Sequence, residues 1–247
     1  MTKTYCISNQ KGGVGKTTTA VNIADSLARG GKRTLVVDLD PQGQCSTALG
    51  IDSENCVFNL MVTGSSPSQW VRKTEREGLD IIPGNRSTAT AQIVLNAENR
   101  PITAVQNALK PLYKEYDYII FDTAPSVGGL QERAIWASNL VLLPTATEYL
   151  SSDGLMQILE MLKLLTEKGW KGKLAGILPT FYDSQTKESK ATLEGLIENF
   201  GDSVLSPIHR ATVLRECAAE GMTIFEKSPN SRAAKEYAAL TNFIRSI

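Results

Sequence analysis

The apolar positions of this chain fall into short runs that alternate with longer stretches of helical spacing. The runs lie at Thr4–Ser8, Arg33–Asp38, Leu79–Pro83, Tyr118–Asp122, Leu140–Pro144, Leu174–Thr180 and Val204–Ser206. Several are apolar at consecutive positions, as parallel strands covered on both faces require. Between them, apolar residues recur every three or four positions over Lys16–Ala28, Ile102–Leu112, Gly154–Lys168 and Lys187–Phe200, which predicts amphipathic helices. A last packing helix is expected over Tyr237–Ile247. The rhythm predicts an α/β fold, a mostly parallel twisted sheet with helices on both faces. Residues Gly50–Gln92 follow it least, and only a helix around Val57–Met61 and the strand at Leu79 are legible there. No Pro/Gly/Ser linker, repeat or low-complexity tract intervenes, so residues 1–247 are read as one domain.

Composition narrows the function classes. With 247 residues, 42% of them hydrophobic, the chain can bury a sizeable core. Its 26 basic and 26 acidic side chains cancel, so a polyanion has to be held by a local patch and not by bulk charge. Cys6, Cys45, Cys56 and Cys217 form no Cys-x-x-Cys pair, and His209 is the only histidine. That pattern disfavours a zinc or iron–sulfur site within one chain and favours reduced thiols. No charged-then-apolar leader opens the sequence and no run of 18 apolar residues occurs, so a cytoplasmic protein is expected.

The chemistry concentrates where the first strand meets the first helix. Gln10-Lys11-Gly12-Gly13-Val14-Gly15-Lys16-Thr17 stands between the strand at Thr4–Ser8 and the helix from Lys16, the context of a phosphate-binding loop. The glycines let successive backbone N–H groups turn inward, and the helix aims its positive dipole end at the anion. Lys16 then suits the β- and γ-phosphates of a nucleotide and the Thr17 hydroxyl suits Mg2+; the plainer alternative is an ordinary glycine turn. Gln10 and Lys11 stand where the usual loop begins with glycine. A second lysine is crowded beside Lys16 unless it points elsewhere, to a phosphate bound by another subunit; the alternative is a surface lysine without a role. Two acids, Asp38 and Asp40, end the second strand in Asp38-Leu-Asp40-Pro-Gln, and Asp122 ends the run Tyr118–Phe121. Open α/β sheets bind ligands at such strand ends. Asp122 is placed to hold Mg2+ through its waters, and either Asp40 or Asp122 taken alone also reads as a strand-end cap or surface charge.

Together, Lys11-Gly-Gly-Val-Gly-Lys16-Thr17-Thr18, Asp38-Leu-Asp40-Pro-Gln and Phe121-Asp122-Thr-Ala-Pro-Ser126 resemble the deviant-Walker ATPases of the ParA/MinD family, with the ParA branch the closer. The likeness extends through Gly176–Asp183, the Pro207-Ile208 turn and Leu214-Arg215-Glu216. It implies a P-loop fold and an ATP-dependent sandwich dimer in which Lys11 crosses to the partner's nucleotide. It also implies that Asp40 positions or activates the attacking water, and that Asp38 and Asp122 support Mg2+ and its waters. Thr18 joins the phosphate contacts, and the adenine pocket maps to Phe181, Pro207 and Ile208.

The branch is narrowed by what the resemblance lacks. Too little sequence precedes the first strand for a helix-turn-helix, so operator reading is not expected, and no basic amphipathic tail of the MinD kind is seen, so no membrane partner is expected. The cysteine segments of the nitrogenase-reductase branch are missing, Asp122 being followed by Thr-Ala-Pro-Ser-Val-Gly-Gly. Small ParA relatives bind nucleoid DNA non-specifically through late basic residues. Lys187, Arg210, Arg215, Arg232 and Lys235 are the main candidates here, although Glu188, Glu216 and Glu236 among them also suit a mixed-charge helix surface. The expected function is a weak basal ATPase that positions a plasmid, a chromosome region or a protein organelle, stimulated by a small adaptor protein encoded nearby. The alternative is a metabolic enzyme of the same fold that uses ATP to activate a small carboxylate.

Overall fold

The computed structural model describes residues 2–125, 129–148 and 152–247. Residues 126–128, which include Ser126 and part of the Thr-Ala-Pro-Ser-Val-Gly-Gly stretch, lie outside the described residues, as do residues 149–151. The elements in chain order are β1 (Lys3–Ile7), α1 (Lys16–Arg29), β2 (Thr34–Leu39), α2 (Gln44–Leu49), α3 (Cys56–Val62), β3 (Arg72–Lys73), β4 (Leu79–Ile82), α4 (Ser87–Ala97), α5 (Ala104–Leu109), β5 (Tyr118–Thr123), α6 (Leu130–Trp136), β6 (Leu140–Ala146), α7 (Ser152–Glu167), β7 (Lys173–Thr180), α8 (Lys187–Phe200), α9 (Val213–Ala219), α10 (Ile224–Lys227) and α11 (Arg232–Ser246). The strands form one sheet in the order β3-β4-β2-β5-β1-β6-β7. All pairings are parallel except β3 with β4.

Both faces of the sheet are buried, which explains why the strands read as continuous apolar runs. Successive side chains divide between two cores. Leu35, Val37, Ile119, Phe121, Val141 and Leu143 pack under α3 to α8. Their neighbours Val36, Tyr118, Ile120, Leu140 and Leu142 pack under α1, α2, α9, α10 and α11. The period-two alternation of each strand thus feeds two helical layers, the fold class that the sequence predicts.

Three expected boundaries differ. Val204–Ser206 is not a strand of the sheet: the Leu205 N–H donates to the Ile177 carbonyl at 2.8 Å and the Ile208 N–H to Pro179 at 2.9 Å. Three residues on one side answer two on the other, so the register slips, and Pro207 has no N–H with which to continue a ladder. The short β3 is the seventh strand instead. The Ile102–Leu112 pattern becomes α5 followed by a 3-10 turn over Lys110–Lys114, because Pro111 cannot donate to the carbonyl four residues back. The last helix starts at Arg232, ahead of Tyr237, where the Ser231 hydroxyl accepts the Ala234 N–H at 3.2 Å and serves as the N-cap. Helices α4 and α6 fall in stretches whose periodicity is too short or too weak to predict them.

Arg76, in the turn between β3 and β4, fastens the sheet edge to the helical layer. Its guanidinium donates to the carbonyls of Leu49 and Gly221, each at 2.8 Å, and to Glu226 at 2.7 Å. Arg76→Ala leaves these acceptors and the half-buried Glu226 charge unpaired, and is expected to destabilise the fold by about 3 kcal/mol in denaturant unfolding. Arg100→Ala removes a pair with Glu98 that is half exposed on both sides and is expected to change stability by under about 1 kcal/mol.

Candidate active site

The loop after β1 is shaped by left-handed backbone at Gly13 (φ 73°) and Gly15 (φ 86°), conformations that cost other residues strain. The buried Asn9 braces its start: Nδ2 donates to the Pro144 carbonyl at 2.8 Å, and Oδ1 accepts the Lys11 N–H at 2.9 Å. Val14 is buried beneath the loop, and its carbonyl accepts the Thr180 hydroxyl at 2.9 Å. Lys16 opens α1, and its buried ammonium donates to the Lys11 carbonyl at 3.0 Å. Burial pulls the pKa of Lys16 down, opposed by the charges of Asp122 and Asp40. A cation whose hydrogen bond among the described residues is to a neutral carbonyl, at the start of a helix, is a ready partner for phosphate.

Adjacent strands β2 and β5 place Asp38 level with Asp122, and both carboxylates are fully buried. Asp122 Oδ2 accepts the Thr17 hydroxyl at 2.6 Å and the Cys45 thiol at 3.3 Å, while Oδ1 has no hydrogen-bond partner among the described residues. Asp38 spends its two oxygens on the backbone, accepting the N–H groups of Asp40 and Cys45 at 3.1 Å each. It therefore braces the loop that carries Asp40. Burial pushes the Asp122 carboxyl up to about 6, against the hydrogen bonds from Thr17 and Cys45. Burial and the Asp122 charge hold Asp38 well above the usual carboxylate range. An orphaned carboxylate oxygen, a second acid alongside and a hydroxyl 2.6 Å away form an oxygen-rich set suited to Mg2+, whose charge would offset the repulsion between the acids. Cys45 is the member that sequence reasoning missed, and its soft thiol does not suit that ion. Its only signal in the sequence is its place two residues after Gly43.

Lys16 and Thr17 face a cleft of about 740 Å³ lined also by Gly12, Gly13, Gly15, Thr18 and Asp40 and by Phe181, Ile208, Arg210 and Arg215, while the buried Asp38, Asp122 and Cys45 are not among its lining residues. Asp40 Oδ1 accepts the Gln42 N–H at 2.9 Å. Phe181 is held at φ 54°, with its ring beside Gly15 and the Arg210 guanidinium 5.9 Å from its centroid. Ile208 reaches the cleft because its N–H and carbonyl bond to Pro179 and Tyr182 at the end of β7. Pro207, expected there too, is not among the lining residues. Lys11 is half-buried and does not line this cleft. Of the other basic candidates, Arg210 is paired with Glu148, and Arg232 with Glu236 at 2.8 Å. Lys187, Arg215 and Lys235 lie exposed on α8, α9 and α11.

A glycine loop between a central parallel strand and a helix, with acids ending neighbouring strands, defines the class of P-loop nucleoside triphosphatases. The family described as AAA domain matches residues 2–175. The sporulation initiation inhibitor protein Soj of Bacillus subtilis is 37% identical over 242 residues, 96% of each chain. The chromosome partitioning protein ParA of Myxococcus xanthus is 37% identical over 242 residues, 95% of this chain and 85% of the relative. Among solved structures, an ATP complex of Cyanothece McdA superposes with a TM-score of 0.91 at 22% identity, covering 100% of this chain and 97% of that one. Cobyrinic acid a,c-diamide synthase of Mycobacterium smegmatis, with bound ATP analog and magnesium, superposes with a TM-score of 0.85 at 30% identity, covering 98% and 93%. The chain belongs to the ParA/MinD family of deviant-Walker ATPases. It hydrolyses ATP with Mg2+, and its full-length relatives include partition proteins. No helix among the described residues is long and apolar enough to cross a membrane.

Asp122→Asn keeps the shape of the buried pair and removes one charge. It is expected to lower ATP turnover on the order of 100-fold and to raise the Mg2+ concentration for half-maximal rate, measured as phosphate release over a magnesium titration. The melting temperature should hold or rise, because Asp38 loses a like-charged neighbour.

Proposed function

We propose that two copies of this chain, each a single ATPase domain, close on two ATP molecules and bind nucleoid DNA non-specifically while positioning a cargo. One observation carries the reading: Lys16 lines the cleft of its own subunit and Lys11 does not, although the two share a hydrogen bond through the Lys11 carbonyl. A lysine held at the rim of its own site is suited to complete a partner's.

The arrangement of these residues supports a division of labour. Backbone N–H groups from Gly12 to Thr18 and the N-terminus of α1 take the phosphates. Lys16 would exchange the Lys11 carbonyl for β- and γ-phosphate oxygens. Thr17, with Asp38 and Asp122 through water, would hold Mg2+, and the ion would supply charge neutralisation for the transferring group. Asp40 orients the attacking water from the open side of the cleft. Lys11 of the partner subunit adds positive charge where it develops in the transition state, so hydrolysis waits for dimerisation. Phe181, Pro207 and Ile208 receive the adenine.

Lys187, Arg210, Arg215, Arg232 and Lys235 supply the DNA contacts, doubled by dimerisation. Arg210 and Arg232 have to exchange carboxylate partners for phosphates. A small adaptor protein on the cargo stimulates hydrolysis and release. The 30% identity to cobyrinic acid a,c-diamide synthase favours a second reading, ATP-driven activation of a small carboxylate.

DNA retention at low salt is expected with ATP and not with ADP or without nucleotide; equal retention in all three overturns the partition reading. Turnover that rises with a small carboxylate and ignores DNA and protein partners establishes the second reading. Asp40→Ala is expected to keep ATP affinity and lose on the order of 100-fold in kcat. Lys11→Ala is expected to bind ATP, remain monomeric by light scattering and hydrolyse at least about tenfold more slowly.

A further inference from the structure

Gly154 lies in the first turn of α7, where alanine is the better helix former, yet the space there is full. A Cβ at this position would stand 2.8 Å from Asn9 Oδ1, 3.0 Å from the Lys11 backbone nitrogen and 3.1 Å from Lys11 Cβ. Gly195, inside α8, has nothing within 4 Å of its own missing Cβ. The neighbours of Gly154 are not free to give way. Asn9 is fully buried and anchored at both ends of its amide, to the Pro144 carbonyl at 2.8 Å and to the Lys11 N–H at 2.9 Å. The Lys11 carbonyl is engaged by the Lys16 ammonium at 3.0 Å. Three parts of the fold therefore converge on the backbone of Lys11: the end of β6 through Pro144, the loop through Asn9 and Lys16, and α7 through the bare backbone of Gly154.

We propose that Gly154 and Asn9 are positioning residues for Lys11: α7 is the backstop, and the Asn9 amide the bracket, that set where the Lys11 side chain leaves the loop. This rests on the reading of Lys11 as the lysine that completes a partner's site. Because so little room separates Gly154 from Asn9 and Lys11, the first turn of α7 cannot move toward the loop without moving Lys11. A side chain at position 154 would displace the bracket, while Val14 keeps its own anchor to the Thr180 hydroxyl and Gly13 and Gly15 their left-handed backbone.

The test measures kcat and KM for ATP, and affinity for a fluorescent ATP analogue, in Gly154→Ala, Asn9→Ala, Lys11→Ala, the Gly154→Ala/Lys11→Ala double variant and the control Gly195→Ala. Gly154→Ala and Asn9→Ala are expected to lower kcat by about tenfold or more, since displacing a reacting group by an ångström costs that much, with affinity held within about twofold. Gly195→Ala should match wild type. The double variant should be no slower than Lys11→Ala, because the residue being positioned is already gone. Wild-type kcat in Gly154→Ala overturns the proposal, as does an equal loss of nucleotide affinity, or a double variant slower than Lys11→Ala by the full Gly154→Ala factor. Should Gly154→Ala fail to fold, Asn9→Ala, which adds no bulk, carries the same comparison alone and with Lys11→Ala. A Lys11→Ala protein as fast as wild type overturns the reading of Lys11 and this proposal with it; a slow Lys11→Ala with an additive double variant overturns the proposal only.

Discussion

Two carboxylates, Asp38 and Asp122, end neighbouring strands side by side with no access to water. Buried like charges are costly unless hydrogen bonds or a cation offset them, and the site is organised around that cost. Asp38 is satisfied by backbone N–H groups and in return fixes the loop that carries Asp40. Asp122 is half satisfied, by Thr17 and Cys45 on one oxygen, with the other left open. That deficit suits a divalent cation, whose charge would offset the repulsion between the two acids.

The same logic governs the loop. Lys16 is drawn down by burial and bonded to a carbonyl, a modest partner for a cation. The N-terminus of α1 adds positive potential beside it. On the proposed reading a nucleotide phosphate would meet this end of the helix and a divalent ion the acid pair, and the packing of Gly154 against Asn9 and Lys11 extends the arrangement from the loop to α7.

Much of this was legible along the chain. The consecutive apolar runs announced strands buried on both faces, and Gly12, Gly13 and Gly15 before Lys16 and Thr17 pointed to a phosphate cradle, because glycine adopts the left-handed backbone found at Gly13 and Gly15 without strain. Asp38, Asp40 and Asp122 were legible as acids at strand ends. The strand expected at Val204–Ser206 was lost to a register slip, and α5 was cut short at Pro111. Cys45 gave little signal beyond its place two residues after Gly43, since a lone thiol in a helix has no motif spacing.

By itself the sequence determined where the glycine loop lies and which strands carry the acids, since backbone permissiveness and hydrophobic period are local properties. The tertiary structure alone decided the rest: that strand order brings Asp38 beside Asp122, that Asp38 braces a loop while Asp122 keeps an open oxygen, and that α7 abuts Lys11 through Gly154. Those relations join residues up to 143 positions apart. They arise from packing two helical layers on one sheet, which no window of sequence contains.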